Sequence, residues 1–173
     1  MATDPPYRER VQLLGLIRFV PVGNDHLRAW EACEGFEKRL ARHEATTIHR
    51  EDLQMMVLFA DMALALDLMS EMLMDGEREG FAISAGLAQG IKSRATVASS
   101  LSGFTEGSIE TLFEIASAAD AQEVAVTPKL SSLIRLSAPR YASRFEPSIP
   151  RRPDSRIRAP LVMRPEAAAV ARR

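Results

Sequence analysis

The sequence predicts an α+β domain: one mostly antiparallel sheet with helices on one face. Three observations carry this. Apolar runs of strand length alternate with segments whose apolar residues recur at helical spacing. Two β-prone runs adjoin in the middle of the chain, as a hairpin requires. The chain has 173 residues, 46% of them hydrophobic and 26% charged, which suits one core and leaves little room for a second.

Residues 1–10 are polar and Pro-rich and read as a flexible lead-in, residues 11–163 as the domain, and residues 164–173 as a disordered tail. Val11–Val20 is an apolar run closed by Pro21, with the length of a buried strand. Asn24 or Asp25 can cap a helix running from His26 to about Glu44, with Leu27, Trp30, Cys33, Phe36 and Leu40 on its apolar stripe. Thr46–Arg50 and Gln54–Phe59 form the hairpin, although no Gly or Asn offers positive φ at its turn. Ala60–Glu79 is rich in strong helix formers, and Met62, Met69 and Met72 share a stripe that reads as core filling. Phe81–Leu87 is an apolar strand, and Ala95–Val97 is a weak β run. Thr105, Glu106 or Ser108 can cap a third helix, Glu123–Thr127 is a short strand, and Pro128 opens a helix over Lys129–Leu136. Six of the ten prolines follow Ser137, so that part is extended, with strands expected near Tyr141–Glu146 and Ile157–Met163. The order β-α-β-β-α-β, continued by a further α-β, is a ferredoxin-like pattern.

Charge is unevenly spread. The net charge is −1, yet residues 135–173 hold ten Arg against Glu146, Asp154 and Glu166, so an acidic body of −8 carries a basic segment of +7. That segment reads either as compensated on its own body or on a second copy, or as a polyanion-binding arm using Arg151, Arg152, Arg156 and Arg158. No aromatic residues interleave with these arginines, which makes nucleic acid the less favoured partner. Cys33 is the one cysteine, so there is neither a disulfide framework nor a Cys-rich zinc site. No apolar run reaches the roughly 18–20 residues of a membrane span, and no secretory signal is readable at Met1, so no membrane partner and a cytoplasmic location are expected. Phosphate loops and nucleophile elbows are lacking. His49 with Glu51 and Asp52 is a conceivable divalent-ion contact, though a polar hairpin explains it as well.

Four segments resemble class III adenylate/guanylate cyclase catalytic domains. Phe81-Ala-Ile-Ser-Ala-Gly-Leu-Ala-Gln-Gly90 resembles the strand R-I-G-I-H-T-G. Phe104–Ser117 resembles the helix motif Y-F-G-x-x-V-N-x-A-A-R-L, Ala118–Thr127 resembles A-x-P-G-E-I-L-V-S, and Arg144-Phe-Glu-Pro147 precedes a final hairpin. The resemblance spans roughly Val11–Met163 and implies a nucleotide-cyclase-like sheet and pairing of two copies. Leu58-Phe-Ala-Asp-Met62 looks like the family's metal-binding strand, but only about twenty residues separate it from Phe81, so Asp61 is expected to start a helix instead.

The resemblance implies two carboxylates holding divalent ions, one on the first strand and one on the hairpin. Here the first-strand position falls at about Leu16–Arg18, where Arg18 would repel a metal. Asp52 matches the hairpin carboxylate and is the weak metal candidate, while Ile48 falls at the base-contacting lysine. Glu110 and Glu114 fall where the family has a ribose-orienting Asn and a transition-state Arg. Replacing an anion-stabilising donor by a carboxylate removes more than the roughly 3–4 kcal/mol such a donor contributes. The expectation is therefore a catalytically inactive, homodimeric sensing or scaffold module. It would need no cofactor and would take a nucleotide or small-molecule ligand. The alternatives are a weak Mg- or Mn-dependent nucleotide-processing enzyme and the polyanion-binding protein.

Overall fold

The structure, a computed structural model, describes residues 12–92, 103–148, 157 and 160–165. The elements are β1 (Gln12–Pro21), α1 (His26–Leu40), β2 (Ala45–Glu51), β3 (Gln54–Phe59), α2 (Met62–Glu79) and β4 (Phe81–Gly90). They continue as α3 (Glu106–Ala118), β5 (Glu123–Val126), α4 (Pro128–Ser137), α5 (Pro139–Ala142), β6 (Phe145–Pro147) and β7 (Leu161–Met163). The sheet order is β2-β3-β1-β4-β5-β7-β6. Its first four strands are the expected ferredoxin-like unit, all antiparallel, and β4–β5 pair in parallel across α3.

One kind of local chemistry starts four helices. Asp25, Asp61, Thr105 and Thr127 each accept a hydrogen bond from the backbone N–H three residues on, satisfying a donor the helix leaves unpaired. Asp61 thus starts α2, as its sequence context requires. Helix α1 stops at Leu40 rather than Glu44, because Arg42 and His43 donate to the carbonyls three residues back and tighten the chain into turns. Gly80 ends α2 at φ 79. Gln122 also has positive φ, 66°. Its side chain accepts from Ile83 N and donates to the Leu73 carbonyl, each at 3.2 Å, which holds α2 against β4 and compensates the backbone strain.

The sheet is buried on both faces, and this corrects the expectation of helices on one. On the first face Leu13, Ile17, Met55, Val57, Phe59, Ile83 and Val124 pack under α1, α2 and α4, with Phe19 against Phe36 and Phe81 at ring-centroid distances of 6.0 and 6.1 Å. On the second face α3 lies alone, and its Leu112, Ile115 and Ala116 cover Leu14, Leu16, Met56, Ala88, Ala125 and Val162. Strand alternation sorts β1 between the two cores, odd positions to one and even positions to the other. Gly86 is what lets α3 dock: a Cβ there would lie 2.5 Å from Ala116 N.

After Ser137 the chain is extended only in part. Tyr141, expected in a strand, sits in the short helix α5, because Pro139 suits a first helical turn. Strand β7 enters the sheet between β5 and β6. Three arginines of this part meet acceptors. Arg140 Nη2 reaches Asp67 at 2.5 and 2.6 Å, Arg144 donates to Ser70 Oγ at 2.7 Å, and Arg164 joins Glu123 and Glu146 at 2.9 and 3.3 Å. The Tyr141 hydroxyl donates to Asp67. Burial, followed by the neighbouring Asp67 carboxylate, pushes that phenol up to about 12. The expected β run at Ala95–Val97 and the candidates Arg151, Arg152, Arg156 and Arg158 lie outside the described residues.

Candidate functional site at the hairpin end of the second face

The hairpin turn is two residues long, Asp52-Leu53, between the paired Glu51 and Gln54. Asp52 takes the positive φ, 51°, that the sequence offers no glycine for; aspartate tolerates this region because its short side chain can bond locally. Phe19 N donates to Leu53 O at 2.8 Å, which ties the tip to β1. Asp52 itself is exposed.

Directly paired residues of neighbouring strands share a face. The register Glu51–Gln54–Arg18–Ser84–Glu123 is therefore one polar row across five strands of the second face. Arg18 Nε donates to Gln54 Oε1 at 2.9 Å. Ser84 Oγ donates to the Ala119 carbonyl just past α3 at 3.1 Å. Glu123 is buried and accepts from Arg164 and from Asp120 N, both at 2.9 Å. Arg18 is half-buried and, among the described residues, faces no carboxylate at ion-pair distance.

The expected residues assemble only in part. Asp52 lies at the tip, next to the row. His49 Nε2 and Glu51 Oε2 are 4.0 Å apart, but among the described residues no three His, Cys, Asp or Glu side chains converge as metal ligands. Glu110 is exposed and Glu114 half-buried, one turn apart on α3. Magnesium or manganese fits this donor set poorly, since the exposed Asp52 carboxylate has no second carboxylate converging with it among the described residues and the row beside it carries the Arg18 guanidinium. Gln54 and Ser84 were missed in the sequence; the signal for both is their pairing with Arg18, which no single strand reveals.

Two other features lie on the first face. Cys33 is buried on the inner side of α1, and burial raises its thiol above the ordinary value, as suits a small core residue rather than a nucleophile. A cavity of about 540 Å³ separates α1 from α2, with Phe36, Met72 and Phe81 among its lining residues. Its arginines are engaged: Arg39 with Asp75, Arg78 with Asp75, and Arg28 with the Glu79 carbonyl.

No family model and no curated protein matches the sequence. Solved structures do match. The chain is similar to the non-canonical dimeric guanylyl cyclase domain of the RhoGC fusion protein from the aquatic fungus Blastocladiella emersonii. Identity is 11%, the TM-score is 0.57, and the match covers 88% of this chain and 93% of that one. It is similar to Trypanosoma brucei adenylate cyclases in their monomeric state, with 10% identity, TM-score 0.58 and coverage of 92% and 91%. It is also similar to the guanylate cyclase domain of RhGC from Catenaria anguillulae in complex with GTP, with 9% identity, TM-score 0.54 and coverage of 90% and 98%. The fold is that of class III adenylate/guanylate cyclase catalytic domains. No helix among the described residues is long and apolar enough to cross a membrane.

Proposed function

We propose that this chain is a catalytically inactive nucleotide-cyclase-like domain that works as a homodimeric sensing or scaffold module. One observation carries the reading: Arg18, fixed by Gln54, stands on the first strand where the fold's chemistry calls for a metal-binding carboxylate. A guanidinium there repels the divalent ions that a cyclisation would need. Glu110 and Glu114 add negative charge on α3, which disfavours a triphosphate in its transition state. The similarity to a domain crystallised as a dimer and to one holding GTP supports pairing and a nucleotide-sized ligand.

Purified protein supplied with ATP or GTP and Mg²⁺ or Mn²⁺ should yield no cyclic nucleotide, and should sediment as a dimer at micromolar concentration. Turnover that disappears in Asp52→Ala would instead establish the metal-dependent enzyme. A monomer would remove the dimeric module.

A further inference from the structure

We infer that Arg18 is a metal-independent binding site for a compact oxyanion, the phosphate group of a small molecule. The inference rests on the non-catalytic, ligand-binding reading above and specifies its ligand. Half-buried guanidiniums elsewhere meet carboxylates: Arg39 of α1 has Glu71 and Asp75, and Arg50 of β2 has Glu37. Among the described residues Arg18 has a single neutral partner, and that partner takes Nε. A bond at Nε fixes the plane of the guanidinium and leaves its two terminal nitrogens directed as a fork. Such a fork matches two oxygens of a phosphate.

The surroundings set the size and charge of the ligand. Ser84 stands opposite Arg18 on β4, and Leu16 and Met56 form the apolar row behind, so the fork has a dry floor on one side. The facing charges are unequal. Glu123 is engaged by Arg164, and Glu51 lies two strands away with His49 beside it. Asp52 lies at the exposed tip. These carboxylates oppose an anion at the hairpin side, and Glu110 and Glu114 add negative charge on α3, which together favour a compact group lying over Arg18 and Ser84. In this arrangement the arginine supplies the positive charge that a metal ion supplies elsewhere, and Asp52 acts against binding rather than for it. That reversal of sign separates this site from a metal site.

The test is isothermal titration of the full chain with inorganic triphosphate, ATP and GTP, first in EDTA and then with Mg²⁺. Binding in EDTA is expected, weakened by added salt and not strengthened by Mg²⁺. Arg18→Met keeps the apolar stem and removes the charge, and should weaken binding at least about tenfold with an unchanged thermal transition. Arg18→Lys keeps charge without the fork and should weaken it less; it also serves if the Met variant fails to fold. Asp52→Asn should strengthen binding several-fold, about the effect of losing one nearby like charge. A smaller dissociation constant for ATP or GTP than for triphosphate assigns the phosphate to a nucleotide; equal constants assign it to a free polyphosphate. No binding in EDTA, equal binding by Arg18→Met, or binding that needs Mg²⁺ and falls in Asp52→Asn overturns the proposal. Cyclic nucleotide formation by the wild-type chain overturns the non-catalytic reading separately, because the EDTA titration measures binding alone.

Discussion

The two faces of the sheet are built from the same strands and end up differently. The first face is covered by three helices, and the polar groups at its margin are matched: Arg39, Arg50 and Arg140 each meet a carboxylate. The second face has α3 alone, docked through Gly86, and a polar row whose central Arg18 meets no carboxylate among the described residues. Apolar burial stabilises roughly in proportion to area, so the first face supplies most of the stability. The second face has fewer helices over it and carries the polar row. Polar residues on the second face can therefore change without disturbing the core of the first.

The comparison can be tested hardest at the far edge. Removing everything after Leu136 takes away Tyr141, Val162 and Met163, all buried, and uncovers β5. The thermal transition should fall by about 10 °C or more, or vanish. An unchanged transition would mean that both faces are complete without β6 and β7.

A smaller effect separates the faces directly. Gly86→Val on the second face drives a side chain into the α3 backbone and should cost about 3 kcal/mol in urea titration. Gly35→Ala on α1, where a Cβ meets nothing within 4 Å, should instead stabilise by about 0.5–1 kcal/mol. Equal losses at the two sites would erase the distinction.

The smallest effect concerns Tyr141. Its folded pKa of about 12 lies above its ordinary value of 10, so its neutral form favours the fold. That contribution is whole below pH 10 and is lost as pH rises through 12. Wild-type protein should lose on the order of 2 kcal/mol more than Tyr141→Phe between pH 9 and pH 12, measured by denaturant titration.

Much of the fold was readable because its signals are local. Asp61 was placed at a helix start by counting residues to Phe81, and Met69 and Met72 were placed in the core by spacing; both are where expected. The second face was not readable, since α3's apolar stripe says that it packs but not on which side of the sheet. The hairpin was legible but not the residue that takes its positive φ: Asp52 takes it, and the Phe19–Leu53 bond that ties the tip to β1 joins residues 34 apart in the chain. In the candidate site, Arg18 was legible as a charge on a mostly apolar strand. Its orientation was not, because Gln54 and Ser84 join it only through the register of three strands.

The position of β7 has a consequence for how the chain is made. Strand β5 ends at Val126, and the strand that covers its open side begins at Leu161, about 35 residues later. At roughly 5–20 residues per second, synthesis leaves that edge uncovered for about 2–7 s after β5 emerges. The strand is four residues long, and a short edge is a poor template for another nascent chain.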